Sequence, residues 1–62
     1  MNWREYIGKR LLIGRGYLTG DISEVEVLDV SPSGKYVKLK YLLSGFVDWQ
    51  STDRIMFIEE LG

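Results

Sequence analysis

Two runs of alternating residues, 24–30 (Glu-Val-Glu-Val-Leu-Asp-Val) and 35–41 (Lys-Tyr-Val-Lys-Leu-Lys-Tyr), flank Ser31-Pro32-Ser33-Gly34. Apolar residues at every second position mark half-buried strands, whose side chains point alternately to the two faces of a sheet. Pro32 presets the φ that opens a tight turn, and Gly34 supplies a left-handed residue without steric cost. The pattern predicts a β-hairpin with a three-residue, bulged loop. In that register Val30 faces Tyr36, Leu28 faces Lys38 and Glu26 faces Lys40 on one side of the ribbon. Val27 faces Leu39 and Val25 faces Tyr41 on the other. The second side gathers Val25, Val27, Val37, Leu39 and Tyr41 and is the expected core face. A slip of one residue would set Val27 against Lys38 and bury charge. Glu24, Glu26, Lys38 and Lys40 then share the outer face. Opposite charges across a strand pair stabilise by about 0.2–1 kcal/mol, so the basic strand is expected to be balanced by its acidic neighbour.

The rest of the chain reads as short strands separated by turn residues. Lys9-Arg10-Leu11-Leu12-Ile13 lies between glycines and is expected to form the first strand. Residues 14–21, with three glycines, form a long loop. Ser44-Gly45 makes a second tight turn. Residues 46–50 are a further strand, with Phe46 and Asp48 on one side and Val47 and Trp49 on the other. Ser51-Thr52-Asp53-Arg54 suits one capped 3-10 turn, and Ile55 to Glu60 is the last strand. Asn2 can cap a single helical turn that Gly8 ends, with Trp3 and Ile7 on one side. The expectation is all-β: one domain, residues 1–62, of five strands closing into a small bent barrel. Val25, Val27, Val37, Leu39, Val47, Trp49 and Ile58, with Leu11 or Leu12, are the expected core. A chain of 62 residues buries only about 60% of its unfolded surface, so little stability is in reserve.

This order of strand, long loop, long strand, tight turn, strand, short turn, strand, helical turn and final strand resembles the SH3-like small barrels. The strand around Val25–Val30, the strand Tyr36–Tyr41, the Ser-Gly turn and the closing Ile58-Glu59-Glu60-Leu61 resemble a Tudor-like member of that group. The resemblance spans residues 9–61 and implies a binding role. Proteins of this layout take proline-rich peptides, methylated side chains, nucleic acid or partner proteins. A Tudor-like reading implies an aromatic cage, for which this chain offers Tyr17, Phe46 and Trp49 with Tyr41 nearby. Core packing is the competing role for the same rings. The Gly-rich first loop, with Arg15 and Tyr17, lacks the acidic aromatic character that proline-rich recognition needs.

Catalysis finds little footing. With no His and no Cys, the commonest general base, thiol nucleophile, disulfides and thiolate metal sites are all missing. Asp21, Glu24 and Glu26 do not make a calcium loop, and Gly14-Arg15-Gly16 matches no phosphate-binding fingerprint. No enzyme activity, cofactor or metal is expected. No apolar run reaches membrane-spanning length and no secretion signal opens the chain, so a cytoplasmic protein without a membrane partner is expected. Eight basic and nine acidic residues give a net charge of −1, laid out in blocks. Residues 1–15 carry Arg4, Lys9, Arg10 and Arg15 against Glu5, residues 21–30 carry four acidic residues and no basic one, and residues 35–40 carry three lysines.

Two kinds of partner follow. The outer-face apolar residues Leu28, Val30, Tyr36 and Leu42 suggest a protein partner or self-association. Alternatively, Arg10, Arg15, Tyr17, Tyr36, Lys38 and Lys40 form a basic and aromatic nucleic-acid face if the first loop folds over the hairpin.

Overall fold

The computed structural model describes residues 2–15 and 22–62. Five antiparallel strands follow one another: β1 (Arg10–Arg15), β2 (Ile22–Val30), β3 (Tyr36–Tyr41), β4 (Val47–Ser51) and β5 (Ile55–Glu60). They form one sheet in the order β4-β3-β2-β1-β5. Two 3-10 turns flank it, η1 (Trp3–Tyr6) ahead of β1 and η2 (Thr52–Arg54) between β4 and β5. The expected all-β class and five strands are present. The expected barrel closure is not: β4 and β5 remain the two edges, with no ladder between them among the described residues.

The hairpin of β2 and β3 follows the expected register at its far end, where Val25 lies opposite Tyr41, Glu26 opposite Lys40 and Val27 opposite Leu39. Nearer the turn it does not. A bulge at Leu28 shifts the pairing, so that Asp29 faces Lys38 and Val30 faces Val37. Val30 is therefore buried in the core rather than presented on the outer face. The physical reason is the loop. Ser31 N–H donates to Tyr36 O at 2.9 Å, which leaves four residues between the closing pair instead of three. Ser31 Oγ accepts from Tyr36 N–H at 3.1 Å, and Gly34, at φ +76°, supplies the left-handed residue. An extra residue on β2 absorbs the difference, as bulges do. The Asp29 carboxylate accepts from Val30 N–H at 2.8 Å and serves a donor that the bulge would otherwise strand.

Leu11, Ile13, Val25, Val27, Val37 and Leu39 are fully buried, joined by Val30 and by Trp3 from η1. The three central strands thus supply the whole strand contribution to the core. Asn2 Oδ1 caps η1 by accepting from Arg4 N–H at 3.1 Å. Arg4 Nη2 donates to Ser31 O at 3.0 Å and Pro32 O at 2.7 Å, tying η1 to the hairpin turn. Trp3 then closes the core, while Ile7 is exposed rather than beside it.

Three expected core residues lie outside: Val47 is 41% exposed, Trp49 46% and Ile58 43%. The register Leu39 to Asp48 explains the first two. Residues directly opposite on an antiparallel ladder share a face, so Asp48 and Gln50 take the inner side and Val47 and Trp49 the outer. Ile58 sits at a second bulge, opposite the Leu12–Ile13 step, and packs outward over Gly14. Phe57, opposite the buried Ile13, faces inward and meets the Tyr6 ring at 5.5 Å.

Truncating Leu39 to Ala is expected to cost about 2–5 kcal/mol by denaturant unfolding, the range for emptying a packed site. Val47→Ala on the exposed side of β4 is expected to cost about 1 kcal/mol or less. A loss at Val47 as large as that at Leu39 would mean that β4 turns its other face to the core.

Candidate functional site

At the end of the sheet where β1 runs out and β3 turns into β4, a cleft of about 860 Å³ opens. Among the described residues it is lined by Arg15, Ile22, Ser23 and Glu24 on one side and Tyr41, Leu43, Ser44, Phe46 and Asp48 on the other. Alternation from the buried Leu11 and Ile13 places Arg15 on the inner side of β1. Tyr41 reaches the same side because it lies opposite the buried Val25. The Ser44-Gly45 turn delivers Phe46 beside them: Gly45 adopts φ +77°, and Tyr41 N–H donates to Phe46 O at 2.8 Å.

The Arg15 guanidinium lies over the Tyr41 ring, with Cζ 5.1 Å from its centroid. Its Nη1 donates to Tyr41 Oη at 3.2 Å. Tyr41 and Phe46 pack with centroids 6.4 Å apart and planes inclined by 32°. Arg15 Nε is buried without a hydrogen-bond partner among the described residues. The Asp48 carboxylate accepts from Trp49 N–H at 2.9 Å and from Gln50 Nε2 at 2.8 Å, which fixes it at the cleft wall. Leu43, at 103% of its reference surface, stands fully in solvent at the turn, with Ile22 and Phe46 also exposed. The cleft therefore combines a rigid aromatic and cationic floor, apolar walls and two carboxylates.

The aromatic cage expected by resemblance is not assembled from Phe46 and Trp49. Phe46 stands with Tyr41 on the inner side, Trp49 points to the outer side, and Arg15 already covers the Tyr41 ring. Tyr17 lies outside the described residues. The four expected protein-contact residues do not share one patch. Val30 is in the core, Leu28 is half-buried at the bulge, and Tyr36 begins β3 while Leu42 lies just past its other end.

Of the expected nucleic-acid residues, Arg10, Tyr36, Lys38 and Lys40 occupy the outer side of the sheet. Arg15 is on the inner side, so it does not join them. The charges alternate across three strands, Lys40 opposite Glu26 and Glu26 opposite Arg10. No ion pair forms between them within 4.0 Å, however; among the described residues the one such pair is Lys9–Glu60 at 3.7 Å. Sequence reasoning missed Trp49 as an outer-face residue because alternation tells which residues share a face, not which face is buried. Lys38 lies directly opposite it.

No helix among the described residues is long and apolar enough to cross a membrane. No group of three or more His, Cys, Asp or Glu side chains among them is placed to hold a metal ion. No protein-family model matches the chain, and no curated protein or solved structure is significantly similar to it.

The Arg15–Tyr41 contact is expected to stabilise the cleft measurably. In a double-mutant cycle with Arg15→Met and Tyr41→Leu, the coupling energy is expected at about 0.5–2 kcal/mol, the range for a partly desolvated cation over a ring. A coupling of zero would mean that the floor of the cleft is not preformed.

Proposed function

We propose that this chain is a non-catalytic interaction module that binds an extended segment of a protein partner in the cleft between Arg15 and Phe46. The observation that carries this reading is the set of exposed apolar side chains, Ile22, Leu43 and Phe46, around a floor already ordered by Arg15 and Tyr41. Apolar walls with a few fixed polar groups are what a recognition site needs: burial supplies affinity and the polar groups set orientation. An apolar anchor residue would enter between Leu43 and Phe46, with backbone or basic groups meeting Glu24 and Asp48. The strand order and the placing of the cleft at the β3–β4 turn support the SH3-like, Tudor-like reading of the chain. On that reading the barrel is completed around the same core.

The test is selection of a displayed random-peptide library on the folded protein. Wild type is expected to enrich peptides sharing an apolar anchor. Leu43→Ser with Phe46→Ala is expected to weaken a selected synthetic peptide at least tenfold, about 1.4 kcal/mol. Peptides that bind both proteins equally would place recognition elsewhere.

Self-association is a second reading, favoured by β5. This edge strand has no second neighbour among the described residues and exposes Met56 and Ile58. Natural edges are commonly protected by charge, and here the first four of the six residues, Ile55 to Ile58, carry none. Sedimentation is expected to show a concentration-dependent dimer, and Ile58→Lys a monomer. A wild type that stays monomeric at high concentration would remove this second reading.

A further inference from the structure

We propose that the outer face of β3 and β4 is a binding site for single-stranded nucleic acid, separate from the cleft. Tyr36, Lys38 and Lys40 alternate along one side of β3. On β4 the residues opposite them are Ser51, Trp49 and Val47. Tyr36 is 52% exposed and Trp49, its diagonal neighbour, is the most exposed tryptophan, since Trp3 is buried. Diagonal neighbours on a ladder stand about 7–8 Å apart, which gives two separate aromatic surfaces on one platform. Lys38 lies between them in the register and Lys40 continues the row. Lys35 stands exposed beyond Tyr36 in the hairpin loop.

Two stacking rings on a sheet, with ammonium groups along the same strand, are the elements that hold unpaired bases and track a phosphate backbone. Duplex DNA offers its bases only at groove edges, so this arrangement selects single strands. The neighbouring carboxylates are Glu26 opposite Lys40, Asp29 opposite Lys38 and Asp53 in η2. They do not engage the lysines: neither Lys38 nor Lys40 has an ion pair within 4.0 Å among the described residues. The Asp29 carboxylate is instead turned to the backbone N–H of Val30. Their presence keeps the affinity modest and the net charge low. It leaves stacking rather than charge as the larger contribution.

The experiment uses the intact chain with fluorescein-labelled oligothymidylate and oligouridylate and with a duplex of equal length. Binding is followed by anisotropy at low and at physiological salt, and by tryptophan emission. Wild type is expected to bind the single strands and to prefer them over the duplex. Its emission is expected to be quenched through Trp49, because Trp3 is shielded in the core. The log–log salt slope is expected near −1.4 to −2, two or three phosphates at about 0.7 each. Trp49→Ala is expected to weaken binding at least fivefold, from the loss of one stacked base. Trp49→Phe is expected to retain most of the affinity and lose most of the quenching. Lys38→Gln with Lys40→Gln is expected to flatten the salt slope by about 1.4. Phe46→Ala in the cleft is expected to bind as wild type does, which separates this site from the peptide site. Thermal melting of each variant establishes that it is folded. Absence of binding to any single strand at low salt would overturn the proposal. So would a preference for the duplex, or a folded Trp49→Ala variant that binds as wild type does.

Discussion

The structure depends on β2 presenting Val25, Val27 and Val30 to one core although their spacing is not uniform. A regular strand would turn Val30 outward. The bulge at Leu28 restores it, at the cost of one backbone N–H removed from the ladder, and Asp29 accepts that N–H with its carboxylate. The turn end of the β2–β3 ladder rests on this adjustment. β2 holds β1 through Leu11–Val25 and β3 through Val27–Leu39, and both pairs are fully buried. The hairpin turn is then fixed at a particular distance from the core. Arg4 can bridge to Ser31 and Pro32 while Trp3 covers the end of the apolar layer. A single inserted residue thus reconciles the four-residue turn with the far-end register and keeps Val30 in the core.

Much of this was legible in the sequence. Alternation gave both hairpin strands, their far-end register and the inner face, and the turn residues gave most boundaries of β4, η2 and β5. The bulge left a signal that a uniform register hides: Leu28 is apolar at a polar parity and Asp29 is acidic at an apolar one. Two consecutive parity errors ahead of a buried valine are what an inserted residue produces. The sidedness of β4 was not legible. Val47 and Trp49 look like a core pair, but burial is decided by the Leu39–Asp48 pairing across a turn closed by Tyr41 N–H and Phe46 O. Local composition does not specify that register. The cleft was partly legible, since Arg15, Tyr41 and Phe46 each stood out. Their assembly depends on where three strand ends meet.

A small domain has more apolar residues than its interior can take, and the distribution of the surplus is informative. The outer face carries a charged row at its centre, Arg10, Glu26 and Lys40, across the three strands that also hold the core. Exposed apolar side chains lie at its margins, Val47 and Trp49 on β4 and Met56 and Ile58 on β5. The middle of the face is thereby kept hydrated, and unspecific stacking of sheets is opposed. Much of the exposed apolar surface lies on the edge strands and at the β3–β4 turn, where a partner can reach it without disturbing the core.

The Arg15–Tyr41 floor of the proposed cleft and the proposed outer-face site lie on opposite sides of the sheet and share two strands, with β4 giving Asp48 to the cleft and Trp49 to the outer face. β3 gives Tyr41 to the cleft and Tyr36, Lys38 and Lys40 to the outer face, with the fully buried Val37 and Leu39 between them. Alternation forces this division: a residue that serves one site cannot serve the other. It also makes simultaneous occupancy sterically compatible, because the ligands are separated by the strand itself. Any energetic link between them must pass through the backbones of β3 and β4, and it must be reciprocal. Val37 and Leu39 are fully buried between the two faces of β3. Two ligands held in the two proposed sites are expected to bind independently of each other.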